Sequence, residues 1–212
     1  MGIISSAGVY LVEFLALKYS PAINFSFLIR TVMLFTFVFS FIFLGEKITK
    51  KKMILATLLL IGAYLVTTKG QAISLTRGDL FTLLQAALIA LGNNVLGKMA
   101  TNRMSVALTA SSSVLIGFIP KIIIAVSFTQ IVFPSRTISI ISLAVVYILL
   151  TQLRFNAYKN ASASYVTMVF SFTPVFVFVM AVLFLKESLT PVQIVGGSLI
   201  ILAGILVEKL KV

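Results

Sequence analysis

Eight long apolar stretches, joined by links of only a few residues, constrain what this chain can fold into. They run at about 2–17, 22–44, 52–68, 79–101, 106–130, 137–158, 162–185 and 190–208. A helix of roughly 17 to 25 residues crosses a bilayer, and hydrocarbon tolerates no exposed irregular backbone. The reading is an all-α integral membrane protein of about eight transmembrane helices. Links such as Ser20-Pro21, Gly45-Glu46-Lys47 and Thr101-Asn102-Arg103 allow helix hairpins and no sizeable extramembrane domain. Composition agrees: 60% of the residues are hydrophobic and 10% charged, whereas a soluble domain is about a quarter charged.

Charge sets the orientation. Seventeen basic residues against five acidic ones give +12, which in a bilayer protein reads as topology-setting loops and contacts with anionic headgroups, not as nucleic-acid binding. With both termini cytoplasmic, ten Lys and Arg lie inside and five outside, the four lysines Lys47, Lys50, Lys51 and Lys52 weighing most. A multi-pass protein of the plasma membrane is expected. The sequence has no cysteine and no histidine, so disulfides, thiol chemistry and histidine metal sites are excluded. No phosphate-cradling Gly-rich loop or nucleophile–base pair is visible either, and neither catalytic residues nor a cofactor or metal is expected.

Most of residues 16–66 occur twice. Slid forward by 141 positions without a gap, they lie on 157–207 with 13 of 51 pairs identical. The matches include Lys18/Lys159, Ala22/Ala163, Glu46/Glu187, Thr49/Thr190 and Leu65-Val66/Leu206-Val207. Apolar composition alone does not place glutamates, lysines and threonines in register, so this is an internal duplication. The chain crosses five times between Glu46 and Glu187, an odd number, and the two copies therefore run in opposite senses. Such inverted-topology repeats recur in secondary transporters, where two halves exchange conformations around a central site. The second copy is preceded by more helices than the first, which gives a 3+5 version of a 5+5 fold: a partial repeat over 1–70 and a complete one over 71–212.

Polar residues inside the apolar stretches are the candidate site. Arg30 lies near the middle of 22–44, where a charge is costly unless it faces a cavity or a partner. Ser26 stacks one turn earlier on the same face, and the pair aligns with Thr167 and Ser171. Arg30 is expected to be the anion-preferring or hydrogen-bonding group of a substrate wall. Glu13 aligns with Arg154 and is either a proton-exchanging carboxylate or a static counter-ion to Arg30 or Arg154. In 79–101, Asn93 shares a small-residue stripe with Ala86, Ala90 and Gly97, while Asn94 projects about 100° away, so one amide is interhelical glue and the other faces the cavity. Gln152 is a further candidate, and Lys121 is expected to face protein or water. Ala56 and Ala63, with Gly197 and Gly204, read as a packing seam, and Glu46 and Glu187 as local partners for lysines and loop backbone.

The run Ala16-Leu17-Lys18-Tyr19-Ser20-Pro21-Ala22, the ending Phe43-Leu44-Gly45-Glu46 and the Gly62-Ala63 helix, repeated as Ala157-Tyr158-Lys159-Asn160-Ala161-Ser162-Ala163, Phe184-Leu185-Lys186-Glu187 and Ala203-Gly204, resemble the drug/metabolite transporter superfamily, specifically EamA-type proteins. The resemblance implies ten helices in two inverted halves around a central substrate, here without the first two. It implies export or exchange of a small metabolite by alternating access, with the lipid bilayer as surroundings. A homo-oligomer or a partner chain supplying the missing helices is a further expectation. The alternative is a non-transporting scaffold or a truncated subunit needing such a partner.

Overall fold

A computed structural model describes residues 8–128, 137–186 and 190–209. The described residues form eight helical rods and no strand. These are α1 (Val9–Tyr19), α2 (Ala22–Leu28, a 3₁₀ turn Ile29–Thr31, then Val32–Leu44), α3 (Lys50–Thr68) and α4 (Arg77–Ile89, a π-helical stretch Ala90–Val95, then Leu96–Arg103). They continue with α5 (Val106–Phe128), α6 (Thr137–Asn160), α7 (Ala163–Phe170 and Thr173–Leu185) and α8 (Pro191–Glu208). All but α1, with 11 described residues, are long and apolar enough to cross a membrane. This is an all-α, multi-pass membrane protein, and its described helices stand where the apolar stretches placed them; residues 2–7 and 129–130 of those stretches lie outside the described residues. The stretches 22–44, 79–101 and 162–185, expected as continuous helices, are each interrupted.

The duplication recurs in local geometry. The 3₁₀ turn Ile29–Thr31 in α2 aligns with residues 170–172, where α7 breaks. Gly45, after α2, and Lys186, its aligned residue after α7, both take left-handed backbone, with φ 66° and 54°; such a residue stops a helix by turning the chain out of its axis. Thr49 then accepts a hydrogen bond from the Lys52 amide and Thr190 one from the Gln193 amide, capping α3 and α8. The Phe-Leu-x-Glu and Thr matches are thus one helix stop and one helix start, used twice.

The two copies of the last helix, α3 and α8, pack against each other along their length and run antiparallel. The end of α3 meets the start of α8, where Gln193 Nε2 donates to the Val66 carbonyl at 3.4 Å. At their crossing, a Cβ on Gly62 would stand 2.8 Å from the Gly196 carbonyl oxygen, and one on Gly196 2.8 Å from the Gly62 oxygen. The helices touch backbone to backbone. Leu59 and its aligned residue Ile200 are buried there with Leu55, Ala56 and Ala203. The expected seam is present but centred on Gly62 and Gly196; Gly204 instead leaves room for the ring of Phe172.

Two carboxylates grip the aligned turns at opposite ends of the bundle. Asp79 accepts from the Ser20 hydroxyl, from Asn24 Nδ2 at 2.9 Å and from the Thr76 amide at 2.7 Å, fixing the turn between α1 and α2. Glu46 accepts from the amides of Ala163 and Ser164, at 2.6 and 3.0 Å, and from the Ser164 hydroxyl, fixing the turn between α6 and α7. Glu46 therefore partners backbone, but that of a helix terminus 117 and 118 residues away and not of its own loop. Glu187 lies outside the described residues. Within the apolar windows, 44% of α4 is buried but only 11% of α6, so α4 stands at the centre of the bundle and α6 at its edge.

Candidate functional site

The centre of the bundle is organised by Asn94. Its Nδ2 donates to Thr36 Oγ1 on α2 at 2.7 Å and to Thr167 Oγ1 on α7 at 3.3 Å, while its Oδ1 accepts from the Tyr158 hydroxyl on α6 at 2.7 Å. Each threonine spends its own proton on the carbonyl four residues back, Val32 and Ala163, both at 2.8 Å, which leaves its oxygen free to accept. One amide therefore joins four helices, with its donors and acceptor all used. Asn94, Thr36, Thr167 and Tyr158 are all buried.

The π-helical stretch Ala90–Val95 puts Asn94 there. A π turn holds an extra residue, and this advances the face that α4 turns inward. The expected Ala86-Ala90-Asn93-Gly97 stripe assumed a regular period and is overturned on this point. Asn94 occupies the buried seam with Ala86, Ala90 and Gly97, whereas Asn93 is half-buried and apart from the cavity described next.

Beside this junction lies a cavity of about 780 Å³. Its walls come from α2 at the 3₁₀ turn (Ile29, Arg30, Val32, Met33), from α4 (Ile89, Asn94), from α6 between Tyr147 and Asn160 with Ala161 just after it, and from α7 on both sides of its break (Thr167, Phe170, Ser171, Thr173). All three helix irregularities thus border one space. Irregular backbone at membrane depth is tolerated where it lines a cavity and its freed groups are re-bonded. Thr31 Oγ1 donates to the Leu28 carbonyl and Thr173 Oγ1 to the Phe170 carbonyl, each at 2.6 Å. In α7 the break follows from Pro174, which has no amide hydrogen and clashes with the preceding turn. In α2 the aligned residue is Met33, and no local signal announces the turn; Met33 Sδ instead accepts from the Ser171 hydroxyl at 3.6 Å, linking the two breaks.

Of the candidate residues, Arg30, Asn94, Arg154, Thr167 and Ser171 line this cavity, whereas Ser26, Asn93, Gln152 and Glu13 do not. Glu13 is half-buried on α1, and no ion pair joins it to Arg30 or Arg154 among the described residues. The Nε atoms of Arg30 and Arg154 are buried with no hydrogen-bond partner. Lys121 faces protein, its ammonium 4.3 Å from the ring centre of Tyr10 and 5.8 Å from that of Tyr147. Thr36, Tyr147, Thr151 and Tyr158 escaped sequence reasoning, since threonine and tyrosine are ordinary residues of apolar helices. The one available signal was that Tyr158 lies in the duplicated stretch. A smaller cavity of about 370 Å³ lies at the Glu46 end, where Lys98 Nζ donates to the Ala161 carbonyl at 2.8 Å.

A bundle of membrane-crossing helices with a cavity bordered by broken helices has the architecture of a polytopic transport protein. The EamA-like transporter family matches residues 1–68 and 76–208, and the chain belongs to that family. A crystal structure of a protein, 16% identical, superposes with a TM-score of 0.82, covering 99% of this chain and 76% of the other. At that identity the likeness establishes the fold alone. No curated protein matches the chain.

Proposed function

We propose that this protein is a secondary transporter that moves a small metabolite across a membrane by alternating access, exporting or exchanging it. The observation that carries this reading is that the two aligned helix breaks, at Arg30 and Ser171, border the same cavity. A helix interrupted at one point bends there at low cost, and two such points in units of opposite sense let the cavity open towards either end of the bundle in turn. Asn94 joins one half of each broken helix, Thr36 of α2 and Thr167 of α7, and so holds those halves together while the others move.

In this reading the repeats are residues 1–70 and 71–212, the membrane is the plasma membrane, and both termini are cytoplasmic. Arg30, Asn94, Thr167 and Ser171 contact substrate. A homo-oligomer or partner chain belongs to the same proposal. Counterflow of labelled metabolites in proteoliposomes tests it. Flux in the wild type that falls at least about tenfold in Arg30→Ala, with unchanged insertion, is the expected result. No flux across a broad metabolite screen would leave a scaffold as the better reading.

A further inference from the structure

Two arginines enter the cavity from different walls, Arg30 from the turn in α2 and Arg154 from α6, and no aspartate or glutamate lines it among the described residues. Two of the chain's five acidic residues, Glu46 and Asp79, are already engaged by turn amides and hydroxyls at the two ends of the bundle. Glu13 lies off the cavity and pairs with neither arginine. A charged side chain at this depth is stabilised by water, by an opposite charge or by a ligand. Among the described residues Arg30 has no opposite charge beside it, and Arg154 has the ring of Phe155, 5.6 Å from its Cζ.

The position of the free atom narrows the chemistry. In both arginines the buried, unpartnered donor is Nε. Nε–H and the adjacent Nη–H form the side-on fork that matches two oxygens of one carboxylate or phosphate. The remaining lining is largely apolar and aromatic, including Ile29, Leu150, Tyr165, Val166 and Phe170. Such walls favour an apolar body and offer few partners to a sugar or a polycation.

Resting on the transport reading above, we propose that this cavity binds a small organic anion, a carboxylate or phosphate carried on an apolar body, with Arg30 and Arg154 both contacting the acid group. The probes are 4-phenylbutyrate, phenyl phosphate, 4-phenylbutanamide and 4-phenylbutylamine, titrated calorimetrically into the full chain in phosphatidylcholine nanodiscs. The two acids are expected to bind at least about tenfold more tightly than the amide and the amine. Arg30→Gln and Arg154→Gln should each remove at least about tenfold of acid binding and much less of amide binding, and the lysine variants should recover part of the acid binding. Monodisperse elution of each variant excludes misfolding as the cause.

Equal binding of acid, amide and amine would overturn the proposal, as would no binding of any probe or indifference to both arginine changes. Displacement of the acids by phosphatidylglycerol would reassign the site to lipid headgroups and overturn it as well. Counterflow keeps the two readings apart. Acid binding without flux of any solute leaves the anion site standing and removes transport, whereas flux of neutral or cationic solutes that ignores both arginines does the reverse.

Discussion

Arg30 and Ser171 stand 141 positions apart in the chain and at the same place in two copies of one helix, each at the point where that helix breaks. One copy carries a guanidinium there and the other a hydroxyl, so a symmetric backbone presents an asymmetric pair of groups to one cavity. Asymmetry of this kind lets a duplicated framework grip one end of a ligand more firmly than the other.

Asn94 should matter more than any single bond it makes. Asn94→Leu keeps the volume but strands the Tyr158 hydroxyl in a buried site, and a loss of about 1–3 kcal/mol of stability is expected. Tyr158→Phe breaks one bond of the network and leaves only Asn94 Oδ1 without its donor, and about 1 kcal/mol or less should be lost. Thermal unfolding in detergent compares the two; equal losses would show that the junction is not the centre of the network.

Gly62 has no room for a side chain. Its Cβ would meet Ile200 Cγ1 at 2.6 Å and the Gly196 carbonyl at 2.8 Å, and a backbone oxygen in a packed helix yields little. Gly62→Val should destabilise the protein by about 1–3 kcal/mol, measured by the same unfolding assay. A neutral result would mean that α3 and α8 stand farther apart than described.

The antiparallel sense of α3 and α8 is open to chemistry because the sequence has no cysteine. Val66→Cys with Gln193→Cys should cross-link through a short thiol reagent. Lys50→Cys with Gln193→Cys should not, since Lys50 lies about 24 Å along α3 from Val66 at 1.5 Å per residue. Efficient cross-linking of the second pair alone would indicate a parallel arrangement and an uninverted repeat.

Glu46 caps the first turn of α7 with both carboxyl oxygens. Glu46→Ala leaves the Ala163 and Ser164 amides without that acceptor, and about 1–2 kcal/mol should be lost, as for other removed helix N-caps. Glu46→Gln keeps an oxygen in place and should lose less. If the two variants unfold at the same temperature, the charge contributes nothing to the turn.

The sequence by itself determined the solvent, the number and order of the helices, their ends and the duplication. These follow from local rules: hydrocarbon demands helices of a certain length, and a left-handed residue or a capping threonine ends or begins one wherever it stands. It also placed Arg30, Arg154, Thr167 and Ser171 at membrane depth, because a polar group there is conspicuous against apolar neighbours. Tertiary structure alone decided that those four share a cavity while Ser26, Gln152 and Glu13 do not, since four helices distant in the chain enclose it. It also decided that Asn94, not Asn93, joins the bundle. A regular 3.6-residue period pointed to the wrong neighbour, and the π turn that shifts the face of α4 is held by partners 58, 64 and 73 residues away, beyond the reach of any local pattern.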